Sequence, residues 1–173
     1  MGAQYTRRIV NDVISLGGDV ELAPDWRLMA EVVRNIQMRT ENGANTSSGY
    51  VALLHRMDRF TPYVSGSWLR STDRALAVVG GLDAAVMPGF LPPDQAAELQ
   101  RGHRIAADVI QAYDQSSLAI GSSYALTPSS KLKLEWSRTR IGQRSAMVDS
   151  PAGGEPVRRQ HIQVLSLNYS FAF

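Results

Sequence analysis

The sequence predicts an all-β fold: an antiparallel transmembrane β-barrel with about seven to eight strands present and long external loops, over a single unit of residues 1–173. Three observations carry this expectation. The last nine residues alternate strictly between large apolar and small or polar side chains, one hairpin is written twice at a constant offset, and the connections alternate between short and long.

Bulk composition excludes other classes. No stretch approaches the ~20 consecutive apolar residues of a membrane helix. Mean hydropathy is −0.17, which a barrel accommodates because only alternate residues of each strand meet lipid. There is no cysteine, so thiolate metal sites and a cysteine nucleophile are excluded. The formal charge of +2 is spread along the chain, without the basic block that grips nucleic acid. Met1 to Val10 holds Arg7 and Arg8 with no apolar run after them, and so does not read as a signal peptide.

From the N-terminus, Ser15 to Arg34 reads as strand, proline turn, strand, and the same grammar returns between Ala119 and Arg138. Leu22, Pro24, Arg27, Leu28, Glu31 and Arg34 correspond to Leu126, Pro128, Lys131, Leu132, Glu135 and Arg138, and Gly17 corresponds to Gly121. Pro24 and Pro128 preset φ for tight turns. After each turn, one face carries Leu28, Ala30 and Val32, or Leu132, Leu134 and Trp136. The other carries Arg27, Met29, Glu31 and Val33, or Lys131, Lys133, Glu135 and Ser137. Charges on alternate residues suit a water-filled lumen, or bulk solvent beside a soluble sandwich.

Residues 48–57 and 60–71 read as two more strands joined at Asp58-Arg59, the second with Pro62, Val64, Gly66 and Trp68 outward; the opposite parity would make Tyr63 an interfacial aromatic. Residues 1–8 are at most the stub of an eighth strand, short of the ~9–11 residues a span needs. Within the long connection 72–115, Pro92-Pro93-Asp94 starts a short helix near 93–101. That connection either folds into the barrel or covers its mouth.

The last strand places Leu165, Leu167, Tyr169, Phe171 and Phe173 on one face and Ser166, Asn168, Ser170 and Ala172 on the other. In a bilayer the first face turns to lipid. Turns near 23–26, 57–60 and 126–130 are short, while the connections 39–47, 72–115 and 143–159 are long, as periplasmic turns and external loops are. With the C-terminus on the periplasmic side, the strand at 12–23 runs downward from outside. The expectation is therefore the C-terminal portion of a larger barrel.

The runs Ile14-Ser-Leu-Gly-Gly18, Trp26-Arg-Leu-Met-Ala-Glu-Val-Val-Arg34, Phe60-Thr-Pro-Tyr-Val64, Leu69-Arg70, Tyr124-Ala-Leu-Thr-Pro128 and Lys131-Leu-Lys-Leu-Glu-Trp136, in this order before the terminal Phe173, resemble the C-terminal half of Gram-negative outer-membrane porins. The resemblance implies a bacterial outer-membrane location, passive diffusion of small hydrophilic solutes and ions, and homotrimers. It implies lipid and lipopolysaccharide as surroundings, and a C-terminal strand (Leu165, Leu167, Tyr169, Phe171, Phe173) recognised by the barrel-assembly machinery. It also implies a constriction loop carrying Arg101, His103 and Arg104. The signal peptide and N-terminal strands of that family have no counterpart here.

By parity, Asp19, Glu21, Arg27, Glu31, Lys131, Lys133 and Glu135 would line the lumen. Opposed acidic and basic rows would set up a transverse field, or the charges would pair to brace a narrow, filled interior. Arg138 and Arg140 share parity with Trp136 and would meet lipopolysaccharide phosphates near the top of their strand. His55, His103 and His161 lie in unrelated contexts, with no HExxH, nucleophile elbow or phosphate loop, so neither an enzyme nor a cofactor or metal is expected. Two other readings remain: a non-transporting outer-membrane barrel with a structural or adhesive role, and a soluble lipocalin-like barrel.

Overall fold

The computed structural model describes residues 10–38, 45–145, 148 and 157–172. Seven strands form one antiparallel sheet in sequence order: β1 (Val10–Ala23), β2 (Trp26–Met38), β3 (Thr46–His55), β4 (Phe60–Ser71), β5 (Tyr113–Thr127), β6 (Ser130–Ser145) and β7 (His161–Phe171). Helices α1 (Asp73–Asp83) and α2 (Pro93–Val109) are inserted between β4 and β5. The sheet is open among the described residues, with β1 and β7 at its edges. Residues 1–8 and Phe173, read above as a strand stub and the end of the assembly signal, lie outside the described residues.

Local chemistry sets the strand ends. At one end of the sheet the links are Pro24-Asp25, residues 56–59 and Pro128-Ser129; at the other they are residues 39–45, 72–112 and 146–160. Asp25 and Asp58 take φ of 66° and 54°, a left-handed geometry that a short polar side chain tolerates. The Asp25 carbonyl accepts from the Arg56 N–H at 2.7 Å, and its carboxylate accepts from Arg56 Nε at 3.0 Å, so neighbouring turns are tied together.

The sequence repeat is also a repeat of register. Gly17 pairs with Glu31 and Glu21 with Arg27 in the first hairpin; Gly121 pairs with Glu135 and Ala125 with Lys131 in the second. Each hairpin carries an irregularity beside its turn, at Glu21/Ala23 and at Ala125/Thr127. Crossing the sheet from Leu28, the partners are Leu53, Val64, Ile120 and Trp136, whereas the counterpart of Leu28 in the repeat is Leu132. The two hairpins are thus offset by four residues (136 − 132) over four strand-to-strand steps.

Cross-strand partners share a face. One face shows an apolar residue from every strand, for example Leu16, Val32, Val51, Val64, Ile120, Leu134 and Leu165, all exposed. The other face shows Asp19, Glu31, Ser48, Ser65, Ser117, Lys133 and Asn168 at comparable places. Pro62, Val64, Gly66 and Trp68 lie on the apolar face and Tyr63 on the polar one. Among the described residues the buried hydrophobic ones are Ala75, Leu76, Val79, Ala107, Ile110, Ala112 and Ile141, gathered where the helices meet the end of β6.

The segment 72–115 differs from its expectation as a loop with one short helix. α1 was not anticipated, and β5 begins at Tyr113, inside the expected loop. The Thr72 hydroxyl accepts from the Ala75 N–H at 3.3 Å, and Asp73 lies in the first turn, so α1 starts with a cap and a favourable charge. The second helix runs eight residues beyond the expected 101 to Val109. Burial of Ala107 and Ile110 against α1 outweighs the helix-weakening Gly102.

Gly49 lies under the Trp68 ring, where an added Cβ would collide with the indole and lie 2.8 Å from the Glu31 carbonyl oxygen. Gly66, on the same face, has nothing within 4 Å of such an atom. Gly49→Val is expected to destabilise the protein by about 1–3 kcal/mol, and Gly66→Val to stay within about 0.5 kcal/mol of the parent. Denaturant midpoints for the two variants check this; equal midpoints would mean that Trp68 is not seated over Gly49.

Candidate functional site

The polar face carries its charges in two groups separated by small neutral residues. On β1 and β2, Arg27 Nε donates to Asp19 Oδ1 at 2.7 Å and its Nη2 makes a second contact to the same carboxylate. Glu21 is the direct cross-strand partner of Arg27. Glu31 faces Gly17, and its Cγ lies 3.3 Å from where a Cβ would stand there. The glycine makes room for the glutamate stem.

On β6, Lys133 Nζ lies 3.0 Å from Glu135 Oε2 and 4.9 Å from the centre of the Tyr63 ring. The Tyr63 hydroxyl donates to Glu135 Oε2. Tyr63, Gly121 and Glu135 stand in one row across β4, β5 and β6. A side chain on β5 would block the phenol, because a Cβ at position 121 would collide with the Tyr63 ring. The Tyr63–Glu135 hydrogen bond and the Lys133–Tyr63 cation–π contact therefore clip β4 to β6 across β5, the latter worth about 0.5–1 kcal/mol at an exposed site. The Lys133–Glu135 ion pair lies within β6. Lys131 stands nearer the short turn, exposed and opposite Ala125 and Ser170.

The seven charges expected on one face do share one face. The sheet brings Asp19 to Arg27 and Lys133 to Glu135, and it keeps the β2 and β6 groups four strands apart. Counting formal charges, Asp19, Glu21 and Glu31 against Arg27 leave two negative charges; Lys131 and Lys133 against Glu135 leave one positive charge. Between the groups lie residues such as Ala52, Ser65, Ser67, Ser117 and Ala119. Ser117 and Thr139 hydrogen-bond to each other through their hydroxyls at 2.7 Å.

The helical hairpin is fastened to the long-connection end of this face. Ile141, in the same row as Gln115, is fully buried. Arg144, with its side chain 9% exposed, donates to Asp83 at the end of α1 at 2.9 Å and also to Asp108 near the end of α2. Arg101 is exposed on α2, while His103 and Arg104 are half-buried. Their helix packs on α1 and reaches the sheet through Asp108 and Arg144. The constriction candidates are thus carried on a different element from the strand charges.

Leu165, Leu167, Tyr169 and Phe171 form an exposed apolar row on β7, with the Tyr169 and Phe171 rings stacked at 6.0 Å. Among the described residues no group of three or more His, Asp or Glu side chains could hold a metal ion. Sequence reasoning missed Tyr63 and Arg144. The match of Gly17 to Gly121 was the available signal for Tyr63, because a repeated strand glycine marks a close approach by a neighbour. No family model, curated protein or solved structure matches the chain.

A double-mutant cycle with Tyr63→Phe and Glu135→Gln is expected to give a coupling of about 1–2 kcal/mol. Additive losses would show that the phenol and the carboxylate act independently.

Proposed function

We propose that this sheet is wall of a porin-like channel of the outer membrane, apolar face to lipid and polar face to a water-filled lumen, for passive diffusion of small hydrophilic solutes and ions. The observation that carries the reading is the exposed apolar face. It extends over all seven strands, and patches beyond a few hundred Å² on a protein surface mark a partner or a membrane.

The dimensions support the same reading. On β2 the apolar face runs from Trp26 to Arg34 and on β4 from Phe60 to Arg70. At about 3.4 Å per residue these stretches are roughly 27 and 34 Å long. If the repeated hairpins sit at equal depth in the membrane, the four-residue offset over four strand steps gives a strand tilt of about 35°, from spacings of about 3.4 and 4.8 Å. That tilt lies within the ~35–45° of transmembrane barrels and brings the apolar stretches to roughly 22–28 Å, beside the ~25 Å apolar band such barrels present. Trp26, Phe60, Tyr124 and Tyr169 lie toward the short-turn end of this face, where an aromatic girdle would meet the interface.

In hydrocarbon every backbone N–H and C=O must be paired. The reading therefore requires partners for the outer edges of β1 and β7 in the bilayer. Transport itself needs no bond chemistry: lumen width and wall electrostatics do the selecting. Ion pairs fix Asp19, Arg27, Lys133 and Glu135 in place, and the residual negative charge near β1 and positive charge on β6 supply a field across the water. The exposed row Leu165, Leu167, Tyr169 and Phe171 is what an assembly machinery would read before lipid covers it.

Lys131→Gln combined with Lys133→Gln is expected to shift planar-bilayer reversal potentials toward cations, changing the permeability ratio by about twofold or more. Unchanged potentials would remove both lysines from a conducting path. Stable insertion without conductance would favour the structural or adhesive role, and a chain that stays in solution without detergent would overturn the membrane reading.

A further inference from the structure

Cations on the apolar face occur toward the long-connection end of the strands. Arg34 and Arg70 belong to this set and are engaged: Arg34 Nη1 donates to Ser47 Oγ at 2.5 Å and Arg70 Nη2 to Asp73 Oδ1 at 2.8 Å. Arg138 and Arg140 are exposed and have no ion-pair partner among the described residues. They stand two residues apart on one strand face, about 7 Å along β6. Across the ladder, Arg140 faces the exposed His161 and Arg138 faces Gln163. Gln163 is held from below, where its Oε1 accepts from Trp136 Nε1 at 3.3 Å.

Two neighbouring guanidiniums repel each other, and neither belongs in hydrocarbon. An anion at the membrane surface removes both costs, and phosphate suits the planar donor fork of arginine best. Directly below the pair the same face turns apolar at Trp136, with Leu165 and Leu167 exposed beside it on β7. The pattern has the two parts of an amphiphile in the correct order, a place for a charged head and a floor for a chain.

The geometry points to a site for the phosphate headgroup of a membrane lipid at the outer end of β6 and β7, formed by Arg138, Arg140 and His161, with an acyl chain along Trp136, Leu165 and Leu167. The site rests on the reading of this face as lipid-facing. Arg138 and Arg140 bind the phosphate oxygens, and the His161 ring contributes a further N–H donor. The site is one-sided in the sheet, because Arg34 and Arg70 stand singly on separate strands while Arg138 and Arg140 are neighbours on one face of β6.

The test uses the full chain in phosphatidylcholine vesicles with and without a minor fraction of phosphatidic acid. Flotation reads embedding, and native mass spectrometry after detergent extraction counts retained phosphatidic acid. The parent chain is expected to float and to retain phosphatidic acid against an excess of inorganic phosphate. R138Q/R140Q is expected to float equally and bind that lipid about thirtyfold more weakly, and R140Q alone about fivefold. R34Q is expected to match the parent. Equal retention by the parent and R138Q/R140Q would overturn the site while leaving the membrane reading intact. Displacement by inorganic phosphate would overturn the lipid and leave a simple anion site. A parent chain that does not float would overturn both readings together.

Discussion

The rest of this structure depends on a sheet whose apolar face has no protein cover among the described residues. A soluble β-sheet hides one face against a second layer, and here, among the described residues, the buried hydrophobic side chains belong to the helical insertion and to the polar-face end of β6, with none on the apolar face. Leu16 is 79% exposed and Leu165 is 72% exposed. Apolar area left in water forfeits roughly 25 cal/mol per Å², so a face of this extent calls for an apolar partner. The opposite face cannot take that role, because it carries Asp19, Glu31 and Lys133, and burying charges costs more than burying leucines gains.

Within that constraint, register is held by pairs of a glycine and a large neighbour. Glu31 leans over Gly17, Trp68 over Gly49 and Tyr63 over Gly121. Each pair gives a strand a single comfortable alignment with its neighbour, because a slip of one residue would drive the large side chain into a Cβ and turn it to the other face. Two of the three glycines occupy equivalent places in the repeated hairpin, each opposite a glutamate. The same hairpin then serves two places in the sheet, β1–β2 and β5–β6, with a four-residue offset between the copies.

Much of the fold was legible because strands with one apolar face repeat every two residues. The hairpins around Pro24 and Pro128, the parity of Trp136, and the sharing of one face by Asp19 and Lys133 all follow from that period, whereas on β4 it allowed either Trp68 or Tyr63 outward and the pairing with β3 and β5 decides for Trp68. The helix α1 was harder to see: its capping Thr72 and the spacing of Leu76 and Val79 are helical, but Gly80-Gly81 reads as a turn until the packing with α2 is known. The Tyr63 clip joins residues 72 positions apart, and Arg144 reaches Asp83 61 positions away. Such contacts depend on which strands become neighbours, which local pattern does not encode. What pairs with the outer edges of β1 and β7 is likewise outside anything that alternation specifies.

The hairpin and the strand charges lie at different heights, and this shapes how a channel wall of this kind would discriminate. Ile141, where the helices sit, is six residues along β6 from Glu135 (141 − 135), or about 20 Å along the strand. Exposed charges act strongly only within a Debye length of about 8–10 Å at ordinary salt. The strand charges are therefore screened at the level of Ile141, where the helical hairpin meets β6. A solute entering from the long-connection end would meet a steric step first, set by helices clamped through Arg144, and an electrostatic step afterwards, set by Asp19, Glu21 and Glu31 facing Lys131 and Lys133. The Tyr63 clip holds the basic side of the second step rigid, so the spacing between the two groups follows the curvature of the sheet rather than the freedom of long side chains.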